Sequence, residues 1–421
     1  MKGSTKVHKL RIFSYENLVL VLMSCANGVL ALDRGVINFL AKPIVDEFHL
    51  SNTQLGLFSS ALSVAVAFSG FFLASLADGT GKRKQIQVTT LVLFSLLSAS
   101  SGLATGFLTL FAARLVMGLA EGPILPIGQS IMSIVSSDTR RGFNMGFMQN
   151  VGAYGIGLMA GPIIFTQLGA AFGWRAAFYI SGVPGLITAI CIALWVRRHE
   201  SGPLPADAPA QHPGQAVHHP LSLFKSRNMI LCVAISALFS AWLLVQGVFM
   251  QRYLTEVDGM KLTDTGFLIS VTGVGGLVGG TAFSALSDRT GRRPMMLFAC
   301  IGGMLAPLSI LFIHGSALLL AAGLLVGWLI GGAAGPLYVA IIPTESVSPR
   351  LSATAVAVSL AFGEIFGGVI APAASGRIAD ATSLAAPFWI STACAGISAL
   401  LAFGLKETAP RKTARASAVA T

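Results

Sequence analysis

Two opposite charges lie side by side inside a long apolar stretch near the N-terminus. Asp33 and Arg34 occur within the sequence ENLVLVLMSCANGVLALDRGVINFL. A charge near the middle of a bilayer costs roughly 2.5–3.5 kcal/mol even on the lenient insertion scale. Adjacent residues lie about 100° apart around a helix, so these two side chains cannot simply neutralise each other. Each charge therefore needs its own partner elsewhere, and a substrate is a candidate partner for one of them.

The fourth apolar segment carries two further charges. Arg114, Gly118 and Glu121 follow i, i+4, i+7 spacing, which places them on one face of a helix. Gly118 allows another helix to approach closely between the two charges. Pro123 and Pro126 weaken the helix just beyond Glu121 and allow it to bend there.

These four charges predict one buried ion pair and one unpaired cation. A buried pair of Asp33 with Arg114 is expected. Since Arg114 can serve only a limited number of acids, Arg34 would remain an unpaired cation, and a protonatable Glu121 requires a side chain that is dry and unpaired. A purely structural clamp between the first and fourth segments is the alternative interpretation of the same residues.

Other polar residues at membrane depth are candidates for a central cavity. Tyr154 in the fifth segment and Glu364 in the eleventh are 210 residues apart, and we expect them to occupy equivalent positions that face this cavity. A structural role for Glu364 is an equally open interpretation. Trp242 and Trp328 are expected to be packing or interfacial residues. The remaining candidate substrate contacts are Asn27, Asn38, Gln129, Gln246 and Tyr338.

Composition predicts an all-α membrane protein. The chain has 421 residues, of which 54% are hydrophobic and 11% charged, and its mean hydropathy is +0.76. A soluble chain usually has about 25% charged residues. Twelve apolar segments are long enough to span a ~30 Å hydrocarbon core as helices. The five cysteines lie in apolar stretches without metal-ligand spacing, and no catalytic acid pair or Ser–His–Asp set is visible, so neither an enzyme nor a cofactor is expected.

The distribution of basic residues predicts the orientation in the membrane. The net charge of +11 could suggest nucleic acid, but Lys and Arg concentrate at the N-terminus, in the even-numbered loops and in the tail from Lys406 to Arg415. By the positive-inside rule, both termini are expected on the cytoplasmic side of the membrane, which we expect to be a bacterial inner membrane. The basic residues are therefore topology signals, and no nucleic-acid partner is expected.

An internal repeat divides the chain. The loop LADGTGKRK after the second segment returns as LSDRTGRRP after the eighth, at an offset of 210 residues, half the chain length. The composition of the polar stretch around PLPADAPAQHPG predicts a linker between two six-helix halves. The predicted domains are residues 1–196, a cytoplasmic linker at 197–227, and residues 228–421. Such repeats are typical of transporters whose substrate site lies between the halves near the membrane midplane.

The two loops, the six-plus-six layout and the long middle loop resemble the major facilitator superfamily. This resemblance implies twelve transmembrane helices in two six-helix bundles, alternating access and a monomer. In the superfamily this loop stabilises the outward-open state through charge contacts and helix-end dipoles. The residues expected to act in gating are accordingly Asp78, Arg83, Asp288, Arg289 and Arg292.

The combination of Asp33-Arg34 with Arg114 and Glu121, together with the segment GWRAAFYISG, is similar to the anion:cation symporter family within this superfamily. The resemblance implies that Arg34 grips a substrate carboxylate. It also implies that Asp33 and Glu121 bind protons, with Arg114 as the partner of Asp33. The expected function is proton-coupled symport of a small organic anion.

An exporter of drugs or lysolipids is the alternative function. Gly157-x3-Gly161-Pro162 partly matches the antiporter motif of the superfamily. A cationic or neutral substrate would leave Arg34 without a ligand, so the symport of an anion is preferred.

Overall fold

The fold was analysed in a computed structural model. It describes residues 14–80, 82–137, 140–197, 220–347 and 351–409, with the side chains of residues 71, 74–79, 220–222 and 352–353 excepted. The regular elements of this part of the chain are all helices. Those of the first half are α1 (Tyr15–Phe39), α2 (Ala41–Phe48), α3 (Asn52–Thr80), α4 (Arg83–Ser100), a short 3₁₀ turn (Ser101–Leu103), α5 (Phe107–Glu121), α6 (Ile124–Val135), α7 (Arg141–Asn150), a π-helix (Val151–Ala160) and α8 (Gly161–Trp195).

The second half repeats this succession of helices. Its elements are a 3₁₀ helix (Pro220–Lys225), α9 (Arg227–Glu256), α10 (Leu262–Thr290), α11 (Arg292–Gly303), α12 (Leu305–Phe312), α13 (Ala317–Gly331), α14 (Ala334–Pro336), a π-helix (Leu337–Ile341), α15 (Ile342–Glu345), α16 (Ser352–Phe362), a π-helix (Gly363–Ile370), α17 (Ala371–Ala381) and α18 (Ala386–Phe403). Most of the predicted linker and the end of the basic tail lie outside the described residues.

The helices account for twelve membrane crossings. Eleven helical spans of the described chain are long and apolar enough to cross a bilayer. One of them, Arg141–Trp195, has 55 residues and would reach about 80 Å if it were straight, far beyond a ~30 Å core. Its backbone leaves the helical region at Gly173, where φ is 81° and ψ is 161°. A positive φ of this kind favours glycine, and the span therefore makes two crossings, which gives the predicted twelve.

Proline and π-helical turns interrupt the crossings near their middles. α5 ends at Glu121 and α6 begins at Ile124, directly after Pro123, because proline has no N–H to continue the helical ladder. The π-helices Val151–Ala160 and Gly363–Ile370 lie at repeat-equivalent positions. Such turns are frequent at functional sites. Both halves are thus locally irregular at the same depth.

The two halves touch on one face of the molecule. We call this side, which carries α2 and the turn before α3, the α2 face, and the side with the start of α1 and the end of α18 the terminal face. On the α2 face, the Asp380 carboxylate accepts hydrogen bonds from the backbone N–H groups of Asn52 (2.7 Å) and Thr53 (2.8 Å). Arg252 Nη1 donates to Asn52 Oδ1 at 2.8 Å.

Close backbone contact and a shared core complete this junction. A Cβ on Gly56 of α3 would overlap the carbonyl of Pro372 on α17, so only glycine lets these helices approach so closely. Val36 of α1 and Leu40, directly after its end, belong to the same buried apolar cluster as Val248 of α9. The halves are therefore packed together on the α2 face.

Candidate functional site

A buried ion pair joins α1 to α5. Arg114 Nη1 lies 3.2 Å from Asp33 Oδ2, as expected, and both side chains are almost completely buried. Ser98 of α4 donates a hydrogen bond to Asp33, and its hydroxyl lies 2.6 Å from that of Ser181 on α8. The Arg114 guanidinium also lies 5.0 Å from the ring centroid of Phe178, within cation–π range. The pair is thus held by four helices of one half.

A second ion pair overturns the expectation that Arg34 has no internal partner. Arg34 Nε donates to Glu121 Oε1, so neither residue is unpaired in this conformation. Side chains on a helix tilt toward its N-terminus, and the long arginine stem extends this reach along the axis. Arg34 therefore reaches the acid two turns beyond Arg114 on α5. The sequence argument considered only angular positions around α1 and missed this axial reach.

The second pair differs from the first in its accessibility. The Arg34 side chain is 35% exposed, whereas that of Glu121 is fully buried. Only Nε of Arg34 is engaged, and within the described residues the two terminal nitrogens make no hydrogen bond. Glu121 Oε2 and Glu364 Oε2 are likewise buried without a partner there. A planar pair of free N–H donors is the geometry that binds a carboxylate in bidentate fashion.

Arg34 faces a cavity between the halves that extends toward the terminal face. This vestibule has a volume of about 600 Å³. Its walls include Arg34 and Glu121 from the first half and Glu364 from the second. Gly118 lies nearby, where a Cβ would come within 2.7 Å of the Ala65 side chain on α3, so the predicted close helix approach is present.

A smaller cavity of about 270 Å³ lies on the α2 side of Arg34. We call it the inner cavity. The predicted residues Asn38, Tyr154 and Gln246 line it, as does Arg34 itself. Tyr154 and Glu364 thus both face central cavities, although different ones. Arg34 is the charged residue common to the two linings.

The structure does not support every candidate substrate contact. Gln129 and Tyr338 line neither cavity; Tyr338 is buried, with its ring centroid 5.9 Å from that of Phe239. Asn27 lines the vestibule, but its amide donates to the carbonyls of Met148 and Gln149, at 3.2 Å each, and so ties α1 to α7. Whether a side chain faces a cavity depends on the rotation of its helix about the helix axis. A single sequence does not reveal that rotation.

Sequence reasoning also missed several residues of the inner cavity. Trp328 packs against Trp242 with ring centroids 5.0 Å apart, as expected, and it also lines this cavity; Trp242 is fully buried. Leu243 and Leu244 line it too. They are the repeat equivalents of Asp33 and Arg34, so the repeat itself was the available signal. No metal-binding group of three or more His, Cys, Asp or Glu occurs among the residues that the structure describes.

The expected gating residues of the second loop interact within their own half. Arg292 pairs with Asp288 at 2.7 Å and with Glu345 at 2.8 Å, and Arg289 is exposed. Arg83 is buried at the start of α4. The Asp78 side chain lies outside the described part of the chain.

Comparison with known proteins agrees with this architecture. Residues 23–365 match the sequence profile of the Major Facilitator Superfamily. The chain is 27% identical to a hexuronate transporter of Bacillus subtilis (strain 168) over 287 residues, 66% of each chain. It is 25% identical to a cis,cis-muconate transport protein of Acinetobacter baylyi (strain ATCC 33305 / BD413 / ADP1), covering 85% of this chain and 86% of that one.

A solved structure shows the same fold. The crystal structure of a bacterial homolog of the human lysosomal transporter Spinster, in an inward-facing and unoccupied conformation, superposes with a TM-score of 0.76. The sequence identity is 19%, and the alignment covers 96% of this chain and 98% of that one. Twelve crossings in two similar halves around a central charged site define a membrane transporter. The chain belongs to the Major Facilitator Superfamily.

Proposed function

We propose that this protein is a secondary active transporter that carries a small organic anion together with protons by alternating access. The observation that carries the proposal is the open terminal fork of Arg34, which lies between two cavities near the centre of the molecule. A guanidinium in this position offers a carboxylate two parallel hydrogen bonds. Arg34 is therefore the proposed substrate anchor.

Charge balance supports proton coupling at Glu121. The two ion pairs, Asp33 with Arg114 and Arg34 with Glu121, sum to zero net charge, and Glu364, a further acid on the vestibule wall, brings no cation with it among the described residues. A substrate carboxylate on Arg34 would add one buried negative charge, which is costly unless it is compensated. A proton on Glu121 removes that excess and releases Arg34 Nε at the same time. Glu121 is thus the proposed coupling site and the internal competitor of the substrate.

Asp33 is the proposed second proton site, with a role distinct from that of Glu121. Its carboxylate is held by Arg114 and Ser98 away from both cavities. Protonation there would weaken the link between α1 and α5 and free the helices to shift. Rocking of the two halves around the loaded site then follows the usual pattern for this architecture.

The basic residues supply the orientation. The positive-inside rule places the terminal face, and with it both termini, in the cytoplasm. The vestibule then opens inward and the packed α2 face is extracytoplasmic, so the conformation is inward-facing. We also propose the bacterial inner membrane as the location, a monomer as the working unit, and residues 197–227 as the linker between domains 1–196 and 228–421.

The relatives support an organic anion as the substrate class. Hexuronate and cis,cis-muconate are the compounds in the names of two transporters that resemble this chain. Both are carboxylates with a small carbon skeleton. We also propose that the loop residues Asp78, Arg83, Asp288, Arg289 and Arg292 act in gating when the vestibule closes.

The test is uptake of labelled organic acids into proteoliposomes under an imposed pH gradient. Arg34→Ala should abolish binding and uptake, and Arg34→Lys should weaken both because it keeps the charge but loses the fork. Arg377→Ala, at an exposed arginine, should behave like the wild type. Full uptake by Arg34→Ala would refute the substrate role of Arg34.

A further inference from the structure

The inner cavity differs in chemistry from the vestibule. Leu243, Leu244, Met250 and Ile269 form much of its wall, and Trp328 adds an aromatic face. The ionisable carboxylates that line the vestibule, Glu121 and Glu364, are absent from this lining. A ligand that enters past Arg34 therefore moves from a polar chamber into a mainly apolar one.

The inner cavity also contains a few polar groups without partners. Asn38 Oδ1, Gln246 Oε1 and Trp328 Nε1 belong to lining residues, and each is buried without a hydrogen bond among the described residues. Gln246 is fixed in place because its amide nitrogen donates to the carbonyl of Trp242 at 2.9 Å. The unpaired atoms comprise two acceptors and one donor, and besides Arg34 and the amide nitrogens the other polar side-chain groups of the lining are the hydroxyls of Ser59, Tyr154 and Thr272. Such a sparse set orients a ligand but cannot satisfy many hydroxyl groups.

The volume restricts the size of the ligand body. At roughly 30 Å³ for each water in the liquid, the 270 Å³ cavity has the volume of about nine waters. A carboxylate carried on a single six-membered ring matches this volume. An aromatic ring can additionally stack against Trp328 in offset or edge-to-face geometry.

We propose that the inner cavity binds the body of an apolar ring acid, a monocarboxylate with at most one or two polar ring substituents, while its carboxylate rests on the terminal nitrogens of Arg34. This proposal rests on the proposed function and narrows its substrate class. A polyhydroxylated acid of the same size is disfavoured, because its hydroxyls would lose water without gaining partners. An apolar pocket of this kind selects against a polyhydroxylated acid, because the hydroxyl groups of that acid would be buried without hydrogen-bond partners.

The first test compares three acids on the purified wild-type protein in lipid nanodiscs. Dissociation constants of benzoate, cyclohexanecarboxylate and gluconate are measured by calorimetry at the same pH. Benzoate is expected to bind at least tenfold more tightly than gluconate, with cyclohexanecarboxylate closer to benzoate. Gluconate binding equal to or tighter than that of benzoate would overturn the proposal.

A pair of matched substitutions locates the effect. Leu244→Asn places a polar group in the inner cavity and should weaken benzoate binding at least tenfold. Leu318→Asn makes the same change at a position that is 80% exposed and should leave binding unchanged. Equal benzoate affinity in wild type and a folded Leu244→Asn variant would place the ring elsewhere and contradict the proposal.

The outcomes separate this proposal from the proposed function. If gluconate is preferred and its binding is lost in Arg34→Ala, the anion-transport function stands and the ring-acid proposal falls. If none of the three acids binds, the ring-acid proposal falls, and if binding is unchanged in Arg34→Ala, the capture of a carboxylate by Arg34 falls as well.

Discussion

At the scale of single residues, two neighbouring charges on α1 have separate partners and separate environments. Asp33 is enclosed with Arg114, whereas Arg34 pairs with Glu121 at the edge of a cavity. Removing one partner of a buried ion pair lowers the free energy of unfolding by far more than the intact pair contributes to it, because the other charge is left uncompensated. The enclosed pair should therefore dominate stability and the accessible pair should dominate binding.

Asp33→Asn should lower the free energy of unfolding by about 3–5 kcal/mol, since it leaves the Arg114 guanidinium buried without an anion. Thermal and denaturant stability in detergent measure this loss. Ser98→Ala, which removes only a hydroxyl donor to the same carboxylate, should cost about 1–2 kcal/mol. An Asp33→Asn variant as stable as wild type would show that Arg114 has an alternative counter-ion.

The sequence predicted the Asp33–Arg114 pair but not the Arg34–Glu121 pair, for a physical reason. Charges at membrane depth must find partners, and spacing on α5 placed Arg114 and Glu121 on one face. Which acid a flexible arginine reaches depends on its extension along the helix axis, and the sequence does not fix that. The place of Trp328 in a cavity lining, in addition to its packing, was missed for a related reason, since it depends on the rotation of its helix.

At the scale of elements, the α2 face is closed by a contact between helix ends. Asp380 near the end of α17 accepts the first N–H groups of α3, where the helix dipole favours a negative group. The cap thus comes from the other half of the molecule. It can exist only while the two halves are packed on this face.

Asp380→Asn should weaken this cap and shift the protein toward conformations in which the α2 face is open. Spin labels on α2 and at the end of α17 would report a longer mean distance and a larger separated population than in the wild type. The matched control is Asp46→Asn, because Asp46 pairs with Lys42 of its own helix. An unchanged distance distribution in Asp380→Asn would show that apolar packing alone closes this face.

A second contact between elements is sensitive to pH. His314, in the turn between α12 and α13, lies 2.7 Å from Asp258 beyond the end of α9, and this carboxylate raises the pKa of His314. The stabilisation is full below the unfolded pKa of about 6.5 and disappears as the pH rises through the higher folded value.

The melting temperature of the wild type should therefore exceed that of His314→Gln at mildly acidic pH, and the difference should shrink toward alkaline pH. The effect should be small, because the imidazole is half exposed. His49→Gln, at a loop histidine outside this pair, serves as the control. A stability difference that grows with pH would have the wrong sign for this pair.

At the scale of the whole molecule, periodicity and repetition predicted most of the architecture. Apolar segments predicted twelve crossings, the 210-residue offset predicted two similar halves, and Pro123 predicted the break after Glu121. The conformation was not predictable, because under the proposed alternating access the same sequence supports both inward-facing and outward-facing packings with similar free energies. The division of the central space into a polar and an apolar cavity likewise depends on how the halves meet.

Competition between a substrate carboxylate and Glu121 for Arg34 is central to the proposed transport mechanism. The most direct test measures the dissociation constant, against pH, of whichever acid among benzoate, cyclohexanecarboxylate and gluconate binds most tightly. Wild type and Glu121→Gln are compared in nanodiscs above about pH 5.5, where a free carboxylic acid is ionised. The wild type should bind more tightly as the pH falls, and Glu121→Gln should bind tightly at every pH. A Glu121→Gln variant that keeps the pH dependence of the wild type would contradict the assignment of the coupling proton to Glu121.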